Sequence, residues 1–289
     1  MVDVAKDLNA ATAQRARPLW KGRLSLVIGV ALLGAVVICA VFAPYLGTTD
    51  PTAIDPVNRL KPSSAQHWFG TDMVGRDIYS RVIYGSRVSL AVGIIVALLS
   101  SVIGLAIGLL SGAVRQLDSV IMRVIDALMS IPSILLAIAL TAVWRGSMAS
   151  VIIAISIAEM PSIARLVRGT VLSLREQPYV EASKAAGARL PRIILVHILP
   201  NTLPALLVQA SYVCASAMIV ESILSFVGAG IPSSIPSWGN IMAEGRQYLV
   251  EAPWIITIPG IALMITVMGL NLLGDGLRDV LDPRLRIQQ

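Results

Sequence analysis

The sequence predicts an all-α membrane protein with six transmembrane helices, from its composition, its long charge-free runs and the distribution of its positive charges. Of the 289 residues, 56% are hydrophobic and only 14% are charged, against about 25% charged residues in a typical soluble domain. A soluble domain needs more polar residues than this, because its surface faces water. The composition therefore argues against a disordered, collagen-like or coiled-coil protein and against an ordinary cytosolic enzyme.

Six segments approach the length of about 20 apolar residues that a helix needs to cross a bilayer. The first is too long for the core of a signal peptide and is not followed by a small-residue cleavage site, so we expect it to be retained. The third and fourth are the weakest, because the third is short and Glu159 interrupts the fourth. The predicted spans are residues 24–46, 88–114, 127–144, 146–164, 198–220 and 252–274.

The distribution of lysine and arginine predicts the direction of these spans. If the N-terminus lies inside, the inner segments hold 16 of the 23 basic residues and the outer segments hold seven. The positive-inside rule therefore places both ends of the chain in the cytoplasm. The same bias explains the net charge of +6, so that charge is no argument for binding nucleic acid.

Several kinds of chemistry are missing from the sequence. No lysine follows a glycine, so a phosphate-binding Gly-x-x-x-x-Gly-Lys loop is excluded, and any ATP must be bound by another chain. The only histidines, His67 and His197, lie on opposite sides of the predicted membrane, which rules out a His-Glu-x-x-His zinc site. We predict no catalytic residues, no metal site and no cofactor bound by this chain.

Two carboxylates, Asp126 and Glu159, lie within or beside the predicted spans. Carboxylates inside a membrane are costly and usually face the interior of the helix bundle. They could serve an ion or proton relay, which would make the chain a stand-alone, ion-coupled secondary transporter. Alternatively they make structural bonds, to Arg123, to Arg165 or to a neighbouring helix.

The long inner loop, residues 169–197, carries the most informative pattern. Pro178 is typical of a first helical turn and Gly187 of a left-handed helix end. Pro191 can then open a second short helix, residues 192–199, ahead of the fifth span. This helix–turn–helix either transmits force between another protein and the spans, or lies on lipid as an interfacial amphipathic helix.

This loop resembles the Glu-Ala-Ala loop of bacterial ABC importer permeases, whose pattern is E-A-A-x3-G-x9-I-x-L-P. Two positions depart from the pattern, since Ser183 replaces the second alanine and His197 stands where the pattern has isoleucine. The resemblance makes this stretch the ATPase-coupling site, and the residues assigned to it are Glu181, Ala182, Ser183, Gly187, Ile198, Leu199 and Pro200.

Three further blocks resemble the C-type permease subunit of the dipeptide, oligopeptide and nickel importers, and the resemblance covers roughly residues 24–286. One block contributes a second candidate site, an outer-loop motif. The blocks begin at Phe69, at Glu221 and at Asn271, and the outer-loop motif comprises Gly70, Asp72, Gly75, Arg76 and Asp77.

The resemblance implies the MetI-like, type I ABC importer permease fold in the bacterial inner membrane. It implies a second, homologous permease subunit, two ATP-binding subunits that carry ATP and Mg, and an extracytoplasmic solute-binding protein. The chain would then be a non-enzymatic permease for peptides or a related small solute. The implied organisation is a cytoplasmic segment 1–23, a first helix 24–46, a periplasmic loop 47–85, a five-helix domain 86–275 with its coupling loop at 169–200, and a cytoplasmic tail 276–289.

The resemblance also implies roles for individual residues. Glu181 would bond in a groove on the ATPase, Ala182 would allow close contact, and Gly187 would make the turn. Alternatively Glu181 is only a favourable charge at a helix terminus, worth about 0.3–1 kcal/mol. The outer-loop motif either meets a partner protein or forms a self-contained turn held by local Asp–Arg pairs and caps. Trp68 and Trp238 are predicted to be anchors at the outer membrane interface.

Overall fold

The computed structural model describes residues 19–144 and 147–281, with side chains from residue 24 onward. These ranges are almost entirely helical, and their extended residues form only one isolated antiparallel bridge, between Thr71 and Asp77. The helices are α1 (Leu19–Val41), α2 (Ile78–Ala113), α3 (Arg115–Met129), α4 (Ser133–Val143), α5 (Met148–Arg175), α6 (Pro178–Ala185), α7 (Leu190–Ile193), α8 (Leu199–Val227), α9 (Trp238–Gly245) and α10 (Trp254–Leu281).

Five helical runs in the described ranges are long and apolar enough to cross a membrane, and α3 with α4 makes a sixth if that bent pair is one span. The axes of α3 and α4 differ by 88°. They separate at Ser130, Ile131 and Pro132, because a residue that precedes proline is disfavoured in the helical conformation. The predicted continuous third helix, 127–144, is therefore wrong, and a broken pair stands in its place.

Charged residues limited several predicted spans too narrowly, whereas α1 ends at Val41, before the predicted end at residue 46. Helix α2 begins at Ile78 rather than at residue 88, and the Asp77 carboxylate caps it by accepting the Ser80 N–H at 2.8 Å. Helix α5 continues to Arg175, and α10 continues to Leu281 beyond the predicted end at 274. Backbone hydrogen bonds do not require apolar side chains, so a helix extends past its apolar run until proline or a cap ends it.

The second short helix that was predicted in the inner loop is not separate from the fifth span. Helix α7, a wide π-helical turn over Ile194–Ile198 and α8 form one continuous run, Leu190–Val227. Pro200 has no N–H with which to bond the carbonyl four residues earlier, and a π turn is a common way to accommodate such a gap. The last part of the inner loop, residues 190–197, is therefore continuous with α8.

The most extensive helix packing in the described ranges lies between α2 and α5, which run parallel. Gly104, Gly108 and Gly112, spaced four residues apart on α2, face Ile163, Val167 and Val171 on α5. A Cβ atom at Gly108 would lie 2.6 Å from the Val167 Cβ and 2.7 Å from the Ala164 carbonyl oxygen. We call these three glycines the glycine ladder. Small residues at this spacing let two membrane helices approach closely, where van der Waals contact replaces the hydrophobic effect.

Helix α1 also packs closely against α10 at a glycine, since a Cβ at Gly29 would lie 2.6 Å from the Leu273 backbone nitrogen. Helix α8 packs against α2, α5 and α10, and α9 covers the end of the bundle that carries residues 42–77. We call that end the outer end and the opposite end, which carries α6, the inner end.

Trp238 is only 1% exposed and donates its indole N–H to the Val82 carbonyl, so its predicted role as an interfacial anchor is wrong.

Candidate functional site

Helix α6 is a short, sharply bounded helix at the inner end. Pro178 opens it and Gly187 follows it with a φ of +81°. The Gly187 N–H donates to the Lys184 carbonyl at 2.9 Å, and the Ala188 N–H donates to the Ser183 carbonyl at 3.1 Å. These two bonds and a left-handed residue define a Schellman cap. The start and stop predicted from the sequence are therefore in place.

The residues of α6 differ in exposure. Val180 is fully buried and anchors the helix, whereas Glu181 and Ala182 are exposed. Within the part of the chain that the structure describes, the Glu181 carboxylate has no hydrogen bond and no ion pair. Helix α6 thus presents to the surface an unpaired carboxylate, the small side chains of Ala182 and Ala185, and the larger Tyr179 and Lys184.

A side-chain contact ties α6 to the base of α8. Ser183 Oγ lies 3.3 Å from His197 Nε2, and the Tyr179 and His197 rings have centroids 6.1 Å apart. Ser183 and His197 are the two positions that depart from the Glu-Ala-Ala pattern, and they contact each other. Ile198 is 1% exposed and packs in the core beside them. Ser183 and His197 therefore connect α6 to the start of α8.

The outer-loop motif folds into one compact turn at the outer end. Gly70 and Gly75 have φ values of +77° and +85°, a region that favours glycine. A Cβ at Gly70 would lie 2.7 Å from the Lys61 carbonyl oxygen, and a Cβ at Gly75 would overlap the Asp55 carbonyl oxygen. Asp77 caps α2, and its carboxylate also lies 3.0 Å from His67 Nδ1.

Asp72 and Arg76 belong to a largely buried set of four charges, which we call the outer charge network. It consists of Asp72, Arg76 and Arg81 with Glu244, which α9 contributes. Asp72 Oδ2 accepts from Arg76 Nε at 2.6 Å and from Arg81 Nη1 at 2.7 Å. Glu244 Oε2 accepts from Arg76 Nη2 at 2.6 Å and from Arg81 Nη1 at 2.5 Å. Two positive and two negative charges balance, which compensates part of the cost of burying them.

The outer-loop motif is held by local Asp–Arg pairs and caps, as one of its two interpretations predicted. The turn is not self-contained, however, because it also bonds to distant parts of the chain. Glu244 is 168 residues from Arg76, and the Trp254 indole donates to the Thr71 carbonyl at 3.1 Å. Sequence reasoning missed Glu244, and nothing about its position in the chain indicates a partner in the first loop. The glycine ladder was also missed, although its Gly-x3-Gly-x3-Gly spacing within an apolar run is a readable signal.

Replacing Glu244 with glutamine should destabilise the outer end of the bundle. Arg81 is 1% exposed and would keep only Asp72 as its acidic partner. Removing one member of a buried ion pair costs about 3–5 kcal/mol, because the remaining charge stays buried. The thermal unfolding midpoint of the purified protein in detergent measures the loss. Glu251→Gln is the matched control, since Glu251 is exposed and unpaired among the described residues; equal midpoints for the two variants would contradict the prediction.

The two candidate relay carboxylates make structural bonds. Asp126 accepts a hydrogen bond from Arg165 at 2.7 Å, and both of these side chains are largely exposed. Glu159 accepts one from Ser216 of α8 at 2.9 Å and is 9% exposed. No described group of three or more His, Cys, Asp or Glu side chains is placed to hold a metal ion. An ion or proton relay needs a chain of linked titratable groups, and none connects these two carboxylates among the residues described.

Comparison with known proteins gives one family. Residues 100–287 match the family model described as the binding-protein-dependent transport system inner membrane component. The chain is 51% identical over 259 residues to a probable peptide ABC transporter permease protein of Sinorhizobium fredii, covering 90% of this chain and 89% of that one. It is 47% identical over 288 residues to a peptide transport system permease protein of Brucella suis, covering 100% and 96%.

A dipeptide transport system permease protein of Alkalihalophilus pseudofirmus is 41% identical over 271 residues, covering 93% of this chain and 89% of that one. Among solved structures, an inward-facing MetNI methionine ABC transporter aligns with a TM-score of 0.58 and 23% identity, covering 73% of this chain and 98% of that chain. That likeness supports the MetI-like fold. The chain therefore belongs to the binding-protein-dependent transport system inner membrane components, and it is a multi-pass permease subunit of an ATP-driven importer whose ATPase is on separate subunits.

Proposed function

We propose that this permease forms half of a path for peptides or a related small solute across the bacterial inner membrane, and that a second, homologous permease forms the other half. The peptide class rests on the relatives, which are named as peptide and dipeptide permeases and align over almost their whole length. An extracytoplasmic solute-binding protein delivers the solute. Two ATP-binding subunits carry ATP and Mg and drive the cycle.

The observation that carries the coupling proposal is the exposed, unpaired Glu181 on a capped helix that is fixed to α8. Glu181 and Ala182 dock in a groove on one ATPase, with Ala182 allowing close approach. Ser183 holds α6 in place through its contact with His197, and Gly187 ends α6 through the Schellman cap. The coupling residues Ile198, Leu199 and Pro200 pass the movement into α8, because the helical run 190–227 has no break.

The orientation follows from the charge distribution. We place the segment 1–23 and the tail 276–289 in the cytoplasm, and the loop 47–85 in the periplasm. Residues 1–18 and 282–289 lie outside the described residues. The outer-loop motif then shapes the surface that the binding protein meets. The outer charge network keeps that surface rigid rather than contacting the solute itself, since Asp72 is fully buried.

Purification and reconstitution test this proposal directly. The tagged chain, extracted from its own membranes in mild detergent, should bring with it a second permease and ATPases that contain a phosphate-binding loop. In liposomes the assembled complex should take up a labelled dipeptide only with ATP and the binding protein present. A chain that purifies alone and moves the peptide along an ion gradient would overturn the proposal.

The Glu159→Gln variant separates the two transport mechanisms within the same assay. Glutamine keeps the size of the side chain and can still bond to Ser216, so ATP-driven uptake should stay within about twofold of the wild type, as expected when a hydrogen bond of about 0.5–1.5 kcal/mol is largely preserved. In an ion-coupled transporter, loss of the titratable group would abolish uptake. Asp126→Asn gives the parallel test at the other carboxylate.

A further inference from the structure

A basic pocket lies at the inner end of the bundle, beside the two ends of the segment that contains α6. It has a volume of about 580 Å³, opens to the outside of the protein, and forms where α2 ends, α3 begins, α5 ends and α7 begins. Neither the coupling site nor the outer charge network includes it. Its lining residues are Ala113, Val114, Arg115, Gln116, Arg175 and Leu190.

The pocket carries two positive charges and no acidic side chain in its lining. The Arg175 guanidinium is held in place, since its Nη1 donates to the Gly112 carbonyl at 2.7 Å and its other N–H groups stay available. Arg115 is exposed and has no partner among the described residues. The nearest acid of α3, Asp118, is already paired with Arg168 at 2.5 and 2.6 Å. Glu176, which follows Arg175 in the chain, does not line the pocket.

The pocket lies at the inner end of α2, one of the helices long and apolar enough to cross a membrane. Ala113 and Val114 end a charge-free run of 27 residues, which is longer than the hydrocarbon core requires, so Arg115 lies at or beyond the boundary of that core. Apolar side chains continue beside the pocket, because Leu117 and Val120 on α3 are 45% and 63% exposed. An anionic headgroup above exposed aliphatic side chains is the pattern of a phospholipid.

We propose that this pocket binds the phosphate of an acidic phospholipid such as phosphatidylglycerol. Two arginines can hold a phosphate by paired N–H···O bonds, and basic pockets between spans at the cytoplasmic side favour anionic headgroups. The bound lipid joins the α2–α3 junction to the end of α5 and the start of α7. The site depends on the inner end being cytoplasmic, which is part of the proposed function.

The test uses the assembled complex in nanodiscs of phosphatidylcholine that also contain phosphatidylglycerol, which supplies the negative surface charge. A photoreactive phosphatidylglycerol is crosslinked and its attachment sites are mapped by mass spectrometry. Crosslinks should concentrate at residues 113–117 and 175. Arg115→Gln should lower that labelling about fivefold, since a basic residue near the membrane surface contributes about 1 kcal/mol.

Arg123→Gln is the matched control, because Arg123 is an exposed arginine on the same helix that does not line the pocket. Labelling that is equal for the wild type and Arg115→Gln would overturn the proposal, as would the same loss in Arg123→Gln. Inorganic phosphate at millimolar concentration should not compete. If it does, the pocket is a site for a soluble anion and the lipid assignment is wrong. ATP-driven uptake is measured separately, so a negative crosslinking result would overturn the lipid site without contradicting the proposed permease function.

Discussion

Replacing Gly187 with valine should abolish ATP-driven transport while the membrane bundle remains folded. Gly187 has a φ of +81° and ends α6 through the bonds of the Schellman cap. A residue with a Cβ pays about 1–2 kcal/mol in this conformation, and a β-branched one is the least suited. The last turn of α6 should unwind to relieve the strain, which moves Glu181 and Ala182 out of the docking geometry. Peptide uptake and peptide-stimulated ATP hydrolysis in liposomes measure the loss.

Two further variants make this expectation specific. Gly187→Asn should restore much of the transport, because asparagine tolerates the left-handed conformation. Gly169→Val controls for the change of side chain, since Gly169 lies in α5 with a helical backbone and a Cβ there would have no atom within 4 Å. Full transport by Gly187→Val would show that the turn is not needed for coupling. Loss of the folded bundle in that variant would assign Gly187 a structural role instead.

Replacing Gly108 with leucine should prevent the bundle from packing. Even a Cβ at Gly108 would lie 2.6 Å from the Val167 Cβ and 2.7 Å from the Ala164 carbonyl oxygen. A backbone atom cannot turn away as a flexible side chain can, so α2 and α5 must separate along the glycine ladder. Overpacking a core costs about 1–3 kcal/mol and sometimes more, and we expect at least the upper end of that range. Size-exclusion profiles and thermal midpoints in detergent report the effect.

Gly34→Leu is the matched control for this substitution. Gly34 is also a glycine within a membrane helix, but apart from its own helix backbone no atom of the described residues lies within 4 Å of the place its Cβ would take. A graded series should follow, with Gly108→Ala less harmful than Gly108→Leu. If both leucine variants elute and melt alike, then close approach of α2 and α5 is not what holds the bundle together.

The sequence predicted the helical class, the number of spans when the broken pair is counted as one, and the limits of α6. These features depend on local or summed properties of the chain. Apolar run length decides whether a segment enters a membrane. Pro178 and Gly187 restrict the backbone at their own positions, whatever surrounds them. For that reason the start and stop of α6 could be read without any knowledge of its neighbours.

The span boundaries and the break between α3 and α4 could be predicted only in part. Charged residues set most limits of the predicted spans, but Arg81 and Arg87 are neutralised or bonded within the fold, so α2 continues through them. A helix end depends on where its capping bonds are satisfied. For α2 that position is Asp77, which caps the helix by accepting a bond from the Ser80 N–H.

By itself the sequence determined that this chain is a bundle of membrane helices with a capped inner helix, since hydropathy and backbone preference act residue by residue. Only the tertiary structure decided which side chains meet. It joined Glu244 to Arg76 and Arg81, set Ser183 beside His197, and placed the glycine ladder against α5. Such pairs depend on how distant helices cross, and helix crossing is determined by the packing of many side chains at once rather than by any single position.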